Sequence, residues 1–127
     1  MKGHSMIIDH VGFAVSNYPH SKSFYTDALA PLGISLITEV MGWAGFGKAG
    51  KPEFWFGEGT AAGLPIHVAF VAESREQVRQ FYAAALQAGA TDNGAPGIRA
   101  HYHPDYYGAF VIGPDGHNIE AVCHLPE

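Results

Sequence analysis

Two histidines and one glutamate have the donor atoms and the surroundings to hold a divalent metal. His10 and His67 each open a segment in which apolar residues alternate with small ones, His10-Val11-Gly12-Phe13-Ala14 and His67-Val68-Ala69-Phe70-Val71. Glu120 interrupts the apolar stretch Ile119–Cys123. A period of two puts His10, Gly12 and Ala14 on one face of a strand and Val11, Phe13 and Val15 on the other. Small residues beside a histidine leave room for a ligand, whereas a core histidine is packed in by larger neighbours. Two imidazoles and a carboxylate are nitrogen and oxygen donors that suit Zn, Ni, Mn or Fe alike. Three protein ligands also leave coordination positions open for substrate or water. Taken singly, each histidine reads as a satisfied core residue and Glu120 as a half-exposed strand carboxylate. The matched pair of histidines is what favours the metal.

The elements that must position these residues come from an internal repeat. Shifting the chain by 57 positions brings His10-Val11-Gly12-Phe13 onto His67-Val68-Ala69-Phe70, Phe24-Tyr25 onto Phe81-Tyr82 and Ala28-Leu29 onto Ala85-Leu86. Seven of the twenty aligned positions 10–29 are identical without a gap, so a duplicated module is the economical reading. Each copy reads as strand, helix and three strands. The first copy gives a strand at 7–15, a helix at 19–32 closed by Gly33, and strands at 35–40, 43–47 and 53–56. The second gives a strand at 66–72, a helix capped by Ser74 and closed by Gly89, and strands at 98–103, 107–112 and 118–124. Pro114-Asp115-Gly116 forms the last hairpin turn, because proline fixes φ and glycine accepts the left-handed position. The fold class is therefore α+β: two tandem βαβββ modules, about 6–59 and 64–125, forming a cupped eight-stranded mixed sheet with helices on the outer face. Residues 6–127 read as one domain, and Met1–Ser5 as a cloning remnant.

Composition narrows the function. The chain has 127 residues, 47% of them hydrophobic, which suits a single core that needs no disulfide. Its net charge is −5 with seven Lys and Arg thinly spread, which argues against a nucleic-acid surface. No apolar run reaches the roughly 18 residues of a membrane span and no signal peptide opens the chain, so a cytoplasmic protein is expected. The single Cys123 reads as a buried, reduced thiol.

The repeated module, the histidine opening both first strands, and the closing segment Gly113-Pro114-Asp115-Gly116-His117-Asn118-Ile119-Glu120-Ala121-Val122 resemble the vicinal oxygen chelate superfamily. That superfamily includes glyoxalases, extradiol dioxygenases and antibiotic-resistance proteins. The resemblance implies a cup around a metal held by His10, His67 and Glu120, a small substrate chelated through adjacent oxygens, and commonly a homodimer. Glyoxalase I enzymes place a Glu or Gln on the last strand of the first module. Here Trp55 falls opposite Glu120, and tryptophan cannot ligate a metal in that role. Glu53 lies on the same face two residues earlier, about 6.6–6.8 Å along the strand. It reads as a base, a ligand through water, a direct ligand after a two-residue slip, or a solvated carboxylate.

The leading expectation is a metal-dependent glyoxalase-like lyase or isomerase. His10, His67 and Glu120 hold the metal, and Glu53 or Glu120 takes the proton. A His/His/Glu set also resembles extradiol dioxygenases and fosfomycin-type thiol transferases. The dioxygenases are usually longer, and the transferases typically carry a threonine where this chain has Gly12. A metal-free, bleomycin-resistance-like binder is the non-enzymatic alternative, permitted by the negative charge and by Trp43, Trp55, Tyr106 and Tyr107 and opposed by the intact His/His/Glu set. Arg99, His101 and His103 alternate along the expected strand 98–103. Arg99 reads either as a fork for a substrate carboxylate or phosphate, or as a rim residue in solvent. Trp55 and Tyr107 read as substrate walls or as packing.

Overall fold

The computed structural model describes residues 8–59 and 65–126. The expected remnant Met1–Ser5 lies outside them. Module one runs β1 (Val11–Val15), α1 (Tyr18–Leu29), β2 (Ser35–Val40), β3 (Trp43–Lys48) and β4 (Lys51–Glu58). Module two runs β5 (His67–Val71), α2 (Arg75–Gln87), β6 (Thr91–Asp92), β7 (Gly97–Ile98), β8 (Tyr107–Ile112) and β9 (Asn118–Cys123). The chain is α+β, with one sheet ordered β1-β4-β3-β2 and a second ordered β5-β9-β8-β6, in which β7 also pairs with β8. In both, the first strand runs parallel to the last and the remaining pairs are antiparallel.

Local chemistry accounts for the helix ends. The Asn17 side chain accepts from the His20 N–H at the start of α1, and the Ser74 hydroxyl accepts from the Gln77 N–H at 3.1 Å at the start of α2. A 3₁₀ turn, Ala30–Leu32, follows α1 and ends at Gly33 with φ 79°. Between β8 and β9 the left-handed turn uses Asp115 (φ 63°) as well as Gly116 (φ 81°). Asparagine and aspartate tolerate that conformation better than other side chains. The Asp115 carboxylate also accepts from the Ser16 N–H at 3.2 Å, tying this turn to the end of β1.

The expected apolar faces do form the core. Val15, Phe24, Tyr25, Phe46, Phe54, Phe56, Val78, Phe81, Ile119 and Ala121 are all buried, with Val11, Phe13, Val68 and Phe70 packed against them. Phe54 of β4 meets Phe70 of β5 at 5.0 Å, so the aromatic core crosses between the modules. Cys123 is a free, buried thiol.

The third strand expected in module two does not extend over 98–103. Of that stretch only Ile98 pairs with β8, within the two-residue strand Gly97–Ile98, and Thr91–Asp92 pairs with β8 separately, so the described residues form nine strands in two sheets where eight were expected. The reason is local. Ile98 pairs with Tyr107, so the chain must reverse between them. The Arg99 carbonyl accepts from the N–H groups of Tyr102 (3.0 Å) and His103 (3.4 Å), and the Tyr106 N–H donates to the His103 carbonyl (3.0 Å). Pro104 has no N–H to give a ladder. Arg99, His101 and His103 therefore do not share a strand face, and the loop 99–106 bends over module two instead.

Candidate functional site in the second module

Glu120 sits in the middle of β9 and is 1% exposed, yet it belongs to the face turned away from α2. A buried carboxylate needs partners, because desolvating an unpaired charge is costly. Glu120 has two. Its Oε1 lies 3.0 Å from Nε2 of His67, and its Oε2 accepts a hydrogen bond from the Tyr106 hydroxyl. β5 and β9 run parallel with His67 opposite Asn118 and Ala69 opposite Glu120, which brings the imidazole within reach. Gly108 on β8 makes the space. A Cβ there would stand 3.1 Å from Glu120 Oε2 and 3.2 Å from the Tyr106 ring. Burial, then the hydrogen bond to Glu120, push the Tyr106 phenol well above its usual range, so it remains a donor.

A cavity of about 640 Å³ opens over this pair, lined by His67, Tyr102, His103, Tyr106, Phe110, Asn118, Glu120 and His124. Its walls are mostly rings. Tyr106 lies 4.9 Å from Tyr102 and 5.2 Å from His124, and His67 stacks on Phe110 at 6.2 Å. Tyr102, Tyr106 and His124 enter the site through the loop and the chain end, where no periodicity marked them. The loop's four aromatic side chains, His101, Tyr102, His103 and Tyr106, between two glycine-bearing strands were the available signal.

His67 and Glu120 offer a nitrogen and an oxygen donor of the kinds a divalent metal takes, at a separation that is also that of a direct salt bridge. Two donor atoms about 2.1 Å from one metal and at right angles to each other lie about 3.0 Å apart, the separation found here. The third expected ligand does not join them within the chain. No group of three His, Cys, Asp or Glu side chains suited to a metal forms among the described residues. The His10 side chain is 61% exposed, and its Nδ1 lies 2.9 Å from the Asp9 carboxylate. His10 lines a second, more apolar cavity of about 530 Å³ on the seam between β1 and β5, together with Glu53, Phe46, Phe54 and Phe70. His67 borders both cavities.

The remaining expected residues are dispersed. Trp55 stands opposite Gly12 on β1, as Glu120 stands opposite Ala69 on β5, so tryptophan does occupy the glutamate's place in module one. It covers Gly45, and Trp43 covers Gly57. A Cβ on Gly45 would come within 2.9 Å of the Trp55 ring, and one on Gly57 within 2.6 Å of the Trp43 ring. Arg99 is held behind Phe110, with its guanidinium 5.3 Å from that ring and donating to the Ala95 carbonyl at 2.8 Å. Tyr107 takes the opposite side of β8 from the cavity. Arg75 and Arg79 of α2 lie over its ring, and Arg79 donates to its hydroxyl at 3.2 Å.

The whole of this architecture has known relatives. The glyoxalase/bleomycin resistance protein/dioxygenase superfamily profile matches residues 7–121, and the chain belongs to that superfamily. A glyoxalase/bleomycin resistance protein from Albidiferax ferrireducens T118 is 26% identical, with a TM-score of 0.81 over 93% of this chain and 99% of the other. A glyoxalase/bleomycin resistance protein/dioxygenase family enzyme from Burkholderia phytofirmans PsJN is similar in fold, at 20% identity and TM-score 0.71 over 92% and 98%. So is a glyoxalase-related enzyme from Fulvimarina pelagi, at 14% identity and TM-score 0.70 over 91% and 86%. No protein of curated function matches the chain. Among the described residues, no helix is long and apolar enough to cross a membrane.

Proposed function

We propose that the protein is a metal-dependent, glyoxalase-like lyase or isomerase whose site closes between two copies of the chain. The observation that carries this is the ready-made pair of His67 Nε2 and Glu120 Oε1, 3.0 Å apart in a cavity, with His10 standing on the other module. Among the described residues β1 and β5 are each the terminal strand of their sheet, so each has an unpaired edge there. Exposed edges are normally covered or paired. Ile8 beside β1 and Val71 at the end of β5 are exposed apolar residues on those edges. A two-fold pairing that sets β1 of one chain beside β5 of another covers both edges. It also adds the partner subunit's His10 to His67 and Glu120, twice over.

A divalent metal held there by His67, Glu120 and the partner's His10 would supply Lewis acidity to a small substrate bearing adjacent oxygens. The protein's own groups do the rest. Glu53 precedes Phe54, the register partner of Val11, so it arrives beside His10 and serves as the base. Trp55 and Trp43 wall the substrate from the module-one side. A second reading, ring sequestration without metal, draws support from that same tryptophan pair, since Trp43 is 39% exposed. Thermal-shift screening of aromatic compounds with and without metal separates the two readings.

The test of the shared site is complementation. His10→Ala and Glu120→Ala each remove one ligand from every site. Mixing and refolding the two variants regenerates one complete site per mixed dimer, so about a quarter of wild-type metal binding returns. A site built within one chain returns none, and a monomeric chain in sedimentation would sink the pairing.

A further inference from the structure

We infer that Tyr106 is the positioning residue for Glu120: its hydroxyl occupies Oε2 so that Oε1 alone is presented beside His67. This rests on the metal reading above and adds to it a residue outside the His/His/Glu set. The geometry is specific. Glu120 has two oxygens, and each has one partner, His67 on Oε1 and Tyr106 on Oε2. Tyr106 is itself fixed on every side. Its N–H donates to the His103 carbonyl at 3.0 Å and its carbonyl accepts from the Arg99 N–H at 2.7 Å. Its ring is held between those of Tyr102 and His124. The loop that failed to become a strand is thus shaped to deliver one hydroxyl to one carboxylate.

The residue type matters as much as the place. An arginine or lysine here would pair with Glu120 as a cation and compete with a metal for the same charge. A phenol donates a hydrogen bond and leaves the carboxylate's charge intact. With Oε2 held, the carboxylate cannot turn about its last bond, and a metal meets a single oxygen in a fixed direction. Partners of this kind orient ligands, and losing one typically weakens metal binding about 10–100-fold.

The experiment is a Co(II) titration of the purified full chain, followed by visible absorption and calorimetry. Wild type, Tyr106→Phe and Tyr18→Phe are compared. Tyr18 also donates to a glutamate, Glu39 at 2.5 Å, but on module one and away from the cavity. Tyr106→Phe is expected to weaken Co(II) binding by at least about tenfold and to change the Co(II) absorption bands, because the freed Oε2 alters coordination. Tyr18→Phe is expected to match wild type in both. Circular dichroism and the melting temperature check that Tyr106→Phe folds, and Tyr106→Leu repeats the test with a smaller side chain if it does not. Identical affinity and spectrum for Tyr106→Phe and wild type would overturn the role of Tyr106 alone. A wild-type chain that binds no Co(II) would overturn the metal reading, and this inference with it.

Discussion

The two modules share a backbone register and exchange their side-chain volumes at the centre of the face turned from the helices. In module one Trp43 pairs with Gly57 and Gly45 with Trp55. In module two Gly108 pairs with Val122 and Phe110 with Glu120. The parallel pairs Val11 with Phe54 and Val68 with Ile119 fix the correspondence, so Trp43 answers to Gly108, Gly45 to Phe110 and Trp55 to Glu120. Bulk over glycine closes the first face as an indole wall. Glycine beside a carboxylate opens the second as a hollow. One scaffold carries two unlike faces because the glycine and the bulky side chain have changed places along the equivalent strands β3 and β8.

The largest test of this contrast is Glu120→Gln, which keeps the volume and removes the charge. Metal affinity should fall by more than about a hundredfold, beyond the usual cost of losing an outer partner. Trp55→Leu, at the equivalent place, should leave metal affinity where it is, and isothermal titration reads both. Equal losses from the two substitutions would mean that the faces are not specialised.

Next in size is Gly57→Ala. Its Cβ would stand 2.6 Å from the Trp43 ring, so the indole must move. A destabilisation of about 1–3 kcal/mol by chemical denaturation, with a shift in tryptophan emission, is the expected result. No change in either would mean that the wall is not packed on its glycines.

How much of this was legible in the chain follows from what each feature depends on. The strand–helix plan of both modules rests on alternation and on local signals such as the Ser74 cap and the closing Gly33 and Gly89, which were readable, whereas the Asn17 cap of α1 was found only in the structure. Trp55 opposite Glu120 was readable too, because the repeat carries the register. The loop 99–106 was not. Arg99, His101 and His103 alternate like a strand, and only the distant pairing of Ile98 with Tyr107 forces the reversal. The choice between Tyr106 and Tyr107 depended on the same event, since neighbours in a strand face opposite ways. Tyr107 went to Arg75 and Arg79, and Tyr106 to Glu120. That His10 shares a cavity with His67 but forms no three-donor group with it and Glu120 among the described residues is a matter of how modules meet, which no period encodes.

The smallest expected effect lies at that meeting. His117 is buried, with Nδ1 accepting from the Ile66 N–H at 3.0 Å and its ring 4.6 Å from that of Phe13. Burial holds the imidazole below its usual range, partly opposed by Asp115. A depressed histidine favours the neutral form in the folded chain, so its contribution is complete above about pH 6.5 and is lost as the pH falls below that value. The melting temperature should drop on going from pH 7 to pH 5. His117→Asn, whose side-chain oxygen still accepts from Ile66, should flatten that part of the curve. An unchanged slope would place the acid sensitivity elsewhere.

The missing methyl at Gly108 sets a criterion for sorting related sequences. The proposed ligands are conspicuous, but the hollow that admits the carboxylate is written as an absence, and the mildest replacement would encroach on it. A relative that keeps both histidines and the glutamate, yet bears a larger residue at this position, is expected to have lost its metal while still looking complete. The glycine, rather than the triad, is the place to read first.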